Sequence, residues 1–168
     1  MDEKALYYIE KLKLMKHPEG GYYNEIYRSD EIFSASVLPE RYIGDRVFST
    51  SIYFLLEGKQ YSAFHKLQSD EIWHFYDGCP IRIYTITPEQ KLEENILGDD
   101  IDKNENRQVV IHKNSWFAAE LVSKTTFGLM GCTVSPGFDF RDLEIGKRDY
   151  LLKKYPEYKD VIIKLTNV

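Results

Sequence analysis

The chain has 168 residues, 43% of them apolar and 29% charged, a balance that suits one folded domain over residues 1–168 and leaves no apolar run near the ~18 residues of a membrane helix. A net charge of −5 with no basic cluster argues against a nucleic-acid partner, which would need cations along its phosphates. Aromatics are the departure: 13 Tyr, 9 Phe and 2 Trp make up 14% of the chain and point to a ring-lined cavity or an interface.

Residues 2–14 place Ala5, Ile9 and Leu12 at helical spacing, with Asp2 and Glu3 at the start, and predict a short amphipathic helix. His17-Pro18-Glu19-Gly20-Gly21 breaks it, because a residue before proline avoids the helical region and paired glycines permit positive φ. Strands follow at Tyr22–Arg28, Phe48–Leu56, Tyr61–Leu67, Glu71–Tyr76, Ile81–Thr87, Gln108–Ile111, Trp116–Leu121 and Phe127–Ser135, all rich in Tyr, Phe, Ile, Val and Thr. Gly58-Lys59, Asp77-Gly78 and Pro88-Glu89-Gln90 are the turns, and Gly98–Asn106 reads as a polar loop. Lys147–Lys154 returns to helix and stops before Pro156; Lys159–Thr166 is a short helix or strand. Eight strands at short spacing predict an all-β sandwich or barrel with short terminal helices. Cys79 and Cys132 are too few for a zinc quartet or a disulfide framework, and the acidic MDEKALYYIEKLKL start is unlike a secretory signal, so a reducing, cytoplasmic setting is expected.

Gly58-Lys-Gln-Tyr-Ser-Ala-Phe-His65-Lys-Leu-Gln-Ser-Asp-Glu71-Ile-Trp-His74-Phe-Tyr-Asp-Gly78 resembles the first motif of the cupins, with His65, Glu71 and Gly78 in register and Leu67 in place of a second histidine. His112-Lys113-Asn114-Ser115-Trp116-Phe117 is similar to the second motif, with Phe117 in place of its histidine. His17-Pro-Glu-Gly-Gly-Tyr-Tyr, Tyr27-Arg28-Ser29, Ser49-Thr-Ser-Ile-Tyr-Phe-Leu-Leu, Ser69-Asp-Glu-Ile-Trp-His-Phe-Tyr and Gly131-Cys-Thr-Val-Ser-Pro-Gly-Phe-Asp-Phe resemble the cupin-5 family, formerly a domain of unknown function, over residues 5–155. The resemblance implies a double-stranded β-helix, or jelly-roll, barrel over about residues 20–140. It also implies inward-facing His65 and Glu71, and a homodimer paired through its sheets.

Two of the four metal ligands usual in cupins stand at the matching positions, so a divalent metal on His65 and Glu71 would be weakly held. The bland alternative is that His65 and Glu71 hydrogen-bond and neutralise each other. Metal-free sugar epimerases of the superfamily use a lumenal histidine as base and a tyrosine as acid. By that analogy Tyr53 or Tyr27 would stand opposite His65, with Arg28 available for a carboxylate or phosphate.

With Glu71 inward, as the resemblance implies, strand parity sends Trp73 and Phe75 inward as well and Ile72, His74 and Tyr76 outward. On the Phe48–Leu56 strand the apolar set Thr50, Ile52, Phe54, Leu56 reads as sheet packing, leaving Ser51 and Tyr53 as the lumenal side chains. Tyr27 and Arg28 share a face only if a bulge intervenes. Trp116 and Phe117 must face opposite ways, and Trp116 joins the candidate pocket. The outward Ile52, Phe54, Ile72 and Tyr76 would serve the dimer. Two classes of function stay open: an isomerase or epimerase using His65, Glu71 and Tyr53, and a non-catalytic barrel whose Tyr27, Arg28, Ser51, Trp73, Phe75 and Trp116 hold a small ligand.

Overall fold

The computed structural model describes residues 2–167. A helix, α1, runs over Glu3–Lys11, its first turn capped by the Asp2 carboxylate, which accepts from the backbone N–H groups of Lys4 and Ala5 at 2.9 and 3.3 Å. The strands follow as β1 (Met15–Lys16), β2 (Tyr22–Arg28), β3 (Ile32–Phe33), β4 (Arg46–Val47), β5 (Thr50–Glu57), β6 (Tyr61–Lys66), β7 (Asp70–Gly78), β8 (Ile81–Ile86), β9 (Leu92–Leu97), β10 (Gln108–Ile111), β11 (Trp116–Leu121), β12 (Phe127–Ser135) and β13 (Glu144–Ile145). Two helices, α2 (Arg148–Lys154) and α3 (Lys159–Lys164), end the chain. The strand β9 lies where the sequence carries no strand signal. Its Leu-Glu-Glu-Asn segment has low strand propensity and is recruited by a six-pair antiparallel ladder to β8.

Two antiparallel sheets face each other. One has the order β1-β2-β5-β12-β7-β10 and the other β13-β6-β11-β8-β9, while β3 and β4 form a separate ribbon. Strands from both sheets supply the inner cluster, which includes Phe54, Leu56 and Trp73 from one side and Ile81, Ile83 and Phe117 from the other. This is the facing-sheet architecture of a jelly roll.

Both sheets are also covered on their outer faces. Ala5 of α1 packs with Leu55, Phe127 and Leu129 against the outside of the six-stranded sheet, with Tyr8, Tyr22 and Tyr53 alongside. Leu151, Tyr155, Ile162 and Leu165 of the C-terminal segment cover Phe64, Tyr84, Ile86 and Trp116 on the outside of the other. A strand apolar on both faces cannot be oriented from its pattern alone.

That double coverage reverses one expectation. Thr50 and Ile52 face the lumen and Phe54 and Leu56 belong to the inner core, whereas Ser51, Tyr53 and Leu55 point outward. Ile52 and Phe54 are therefore not part of an outer dimer face. Trp116, expected in the pocket, lies under the C-terminal helices, with Lys66 Nζ 4.7 Å from its ring centroid.

Candidate functional site

The loop after β1 builds one wall. Gly20 has φ +116°, and a Cβ there would strike the Tyr61 carbonyl; Gly21, at φ +72°, is pressed on Leu55 and Phe54. Only glycine allows this close approach. The loop closes on itself through His17 N–H to Gly21 O and Gly20 N–H to His17 O, both 3.1 Å, and it ties to β6 through Ala63 N–H donating to Glu19 O at 2.8 Å. The Glu19 side chain is thereby delivered into the barrel beside His65.

His65 Nε2 lies 2.9 Å from Glu19 Oε2, and His65 Nδ1 donates to the Ala63 carbonyl at 2.7 Å. Both ring nitrogens are therefore spent as donors, which describes an imidazolium against a carboxylate. Burial alone would depress the His65 pKa, but the Glu19 charge and hydrogen bond outweigh it and raise the value above the usual 6.5. Burial likewise pushes Glu19 up, yet His65 holds its carboxyl below the usual 4.5. The partner of His65 is thus Glu19, where the sequence paired it with Glu71. His17 lies beside them, Nδ1 3.7 Å from Glu19 Oε1 and accepting from the Glu19 backbone N–H at 3.4 Å, and burial lowers its pKa below the usual 6.5.

Glu71 enters from β7 and is 7% exposed. Its Oε2 is fully enclosed without a well-formed hydrogen bond, and the donors beside the carboxyl are Trp73 and the Cys132 thiol. Burial raises its pKa to about 7 despite the opposing pull of His65. Cys132, from the neighbouring strand, is buried and its thiol is pushed well above the ordinary range by that burial, which makes it an inert wall rather than a nucleophile.

Glu19, His65 and Glu71 line one cavity of about 270 Å³. Ile52, Leu67 and Val134 form its apolar side, and Phe138 and Phe140 stand at its rim, their ring centroids 5.0 Å apart. The rim is held from below: Arg46 makes a paired contact with Asp142 at 2.7 and 2.6 Å and donates to the Ile43, Gly44 and Asp45 carbonyls.

Arg28 reaches the cavity because β2 bulges. Its pairing with β5 shifts between Glu25 and Tyr27, so Tyr23, Glu25 and Arg28 follow the inward Phe54, Ile52 and Thr50 while Tyr27 pairs with the outward Ser51. Tyr27 is 53% exposed on the outside. The Arg28 guanidinium is already engaged: it meets Glu25 through two contacts at 2.8 and 2.6 Å and reaches the Phe138 carbonyl at 3.3 Å.

Of the sequence candidates, His65, Glu71 and Arg28 come together at the cavity. Trp73 and Phe75 sit deeper, in or against the inner core. Tyr53, Ser51, Tyr27 and Trp116 lie elsewhere, so Tyr53 does not stand opposite His65; the tyrosine on that wall is Tyr23, its ring 4.6 Å edge-on from His17. The residues missed were His17, Glu19, Tyr23 and Glu25. Two titratable side chains flanking a proline before a Gly-Gly turn were the available signal for the first pair.

A cupin-type metal does not fit this donor set. Leu67 lines the cavity at the second-histidine position. Phe117 pairs in register with His65, ring centroids 4.0 Å apart, and fills the third. Both His65 nitrogens are spent, and no group of three or more His, Cys, Asp or Glu among the described residues is arranged to hold a metal ion.

A family model described as Cupin superfamily (DUF985) matches residues 6–146. The chain superposes on the crystal structure of a Shewanella oneidensis protein with a TM-score of 0.88 at 37% identity, covering 99% of this chain and 98% of that one. A hypothetical protein from Leishmania major gives 0.89 at 29% identity over the full length of both. Oxalate decarboxylase from Bacillus subtilis shares the fold at 11% identity and a TM-score of 0.54, over 89% of this chain and 36% of that one. No curated protein matches the chain.

Proposed function

This chain belongs to the DUF985 family of the cupin superfamily, and from that footing we propose that it is a small-molecule-binding barrel whose recognition group is Glu71. The observation that carries the reading is a buried carboxyl in the lining of a cavity with no ion-pair partner among the described residues. A buried charge without a counter-charge is costly, and a bound donor would offset that cost. The volume lies near the small end of the ~300–1,000 Å³ range of ligand sites, which suits a compact metabolite. The His65–Glu19 pair acts as a fixed internal salt bridge that shapes the wall.

This reading departs from a His–Tyr epimerase because His65 has no free nitrogen and Tyr53 faces away. A second reading, proton transfer by Glu71 itself, is favoured by its pKa near 7. A fragment screen by ligand-observed NMR on the parent and Glu71→Gln tests the first reading. Hits that depend on Glu71 support it, and hits indifferent to Glu71, or none, would sink it. Deuterium wash-in from D2O into small hydroxyketones, lost in Glu71→Gln, would promote the second.

Self-association through the outer side of the six-stranded sheet belongs to the same proposal. The cross-strand row Tyr27, Ser51, Thr133, Ile72, Val110 lies there, with Tyr27 and Val110 53% and 51% exposed. Light scattering should give twice the chain mass of 19.8 kDa; a monomer would remove this element.

A further inference from the structure

Three carboxyls and two cations line the cavity, and the charges are unevenly committed. Glu19 is matched to His65 and Glu25 to Arg28. Arg28 has a third contact on the Phe138 carbonyl and His65 a second on the Ala63 carbonyl, so neither cation has its charge to spare. His17 Nδ1 accepts from the Glu19 backbone N–H at 3.4 Å, and burial disfavours a charge on its ring. Glu71 is the remaining carboxyl of the lining, and its neighbouring donors, Trp73 and the Cys132 thiol, carry no charge, so it has no ion-pair partner among the described residues. With Glu71 ionised the cavity thus carries one uncompensated negative charge, in a place where an isolated charge is costly.

An anionic ligand would find no unpaired cation to receive it and would add a second negative charge beside Glu71. A neutral alcohol could donate one hydrogen bond but would leave an ionised Glu71 without a counter-charge. A ligand carrying one positive charge and N–H donors satisfies both demands together. Phe138, Phe140 and Tyr23 border the same space, and aromatic rings attract a nearby cation, while Ile52 and Val134 offer apolar surface to the body that carries it.

We propose that the lumen takes an organic ammonium ion, a primary or secondary amine on a compact ring or short apolar chain, with its N–H groups on the Glu71 carboxylate. This deepens the small-molecule reading and rests on it.

The test uses three probes that share one ring and differ in the head group: benzylamine, benzyl alcohol and benzoate, titrated calorimetrically into the full chain at neutral pH. Benzylamine should bind at least tenfold more tightly than benzyl alcohol, and benzoate should not bind. Glu71→Gln, nearly the same shape but uncharged, should lose tenfold or more for benzylamine and little for benzyl alcohol. The head-group series on the parent stands even if that variant folds poorly. Benzoate or benzyl alcohol matching benzylamine would overturn the inference while leaving the small-molecule reading in place. Silence from all three probes would also overturn it, and the fragment screen would then decide the broader reading separately.

Discussion

His65 Nε2 and Glu19 Oε2 meet at 2.9 Å inside the barrel, each side chain less than a tenth exposed. The contact joins β6 to a loop that precedes β2, so a charge pair lies in the wall of the cavity. Its second anchor, Nδ1 on the Ala63 carbonyl, fixes the ring plane as well as its charge.

Removing one partner of a buried pair strands the other, typically at a cost of about 3–5 kcal/mol. Glu19→Gln should therefore unfold at markedly lower urea concentration than the parent. The pH dependence has a definite sign. Glu19, lowered in the fold, contributes stability that is present above its unfolded value of 4.5 and is lost as pH falls through its folded value. His65, raised in the fold, contributes stability that is present below 6.5 and is lost as pH rises through its folded value. In a Glu71→Gln background, which removes the slope that Glu71 itself imposes, stability should show a plateau between those limits, and adding Glu19→Gln should remove both flanks in urea titrations across pH.

Glu71 works in the opposite direction to Glu19. Its folded pKa of about 7 lies above the unfolded 4.5, so the buried carboxyl favours the fold most below pH 4.5. That contribution is lost as pH rises toward 7, a change of about 3 kcal/mol. Glu71→Gln should abolish this component and be more stable than the parent above pH 7. A parent stability that is indifferent to Glu71→Gln across this range would contradict the burial described here.

Asp142 supports the rim through Arg46, the two side chains 5% and 1% exposed. Asp142→Asn should cost about 3 kcal/mol, since it leaves a buried guanidinium without its anion. Because Asp142 follows Phe140 and Arg141 directly, hydrogen exchange should also quicken across residues 138–143, a local effect that a remote destabilising substitution would not produce.

Metal binding can be built in as well as looked for. Elemental analysis of the purified parent should give well under one equivalent of manganese, iron, nickel or zinc. The double variant Leu67→His/Phe117→His, which adds imidazoles at the two apolar positions facing His65 and Glu71, should gain metal affinity at some expense in stability. Stoichiometric metal in the parent, lost in His65→Ala and in Glu71→Ala, would refute the donor-set argument.

The barrel and its strands were legible in the sequence because β-branched and aromatic runs bounded by turns are local signals. The inward direction of Glu71 was implied by the family resemblance, and a two-residue period carried it to Trp73. Local patterning could not orient β5, since α1 buries Tyr53 and Leu55 on one side of it while the lumen takes Ile52 and Phe54 on the other. Nor could it foresee the bulge at Ile26 that turns Arg28 inward and Tyr27 outward. The sequence by itself determined that an imidazole and a carboxyl would share this barrel. Only the tertiary structure decided which carboxyl the imidazole would own, because the glycine loop brings Glu19 across to His65 and leaves Glu71 without an ion pair.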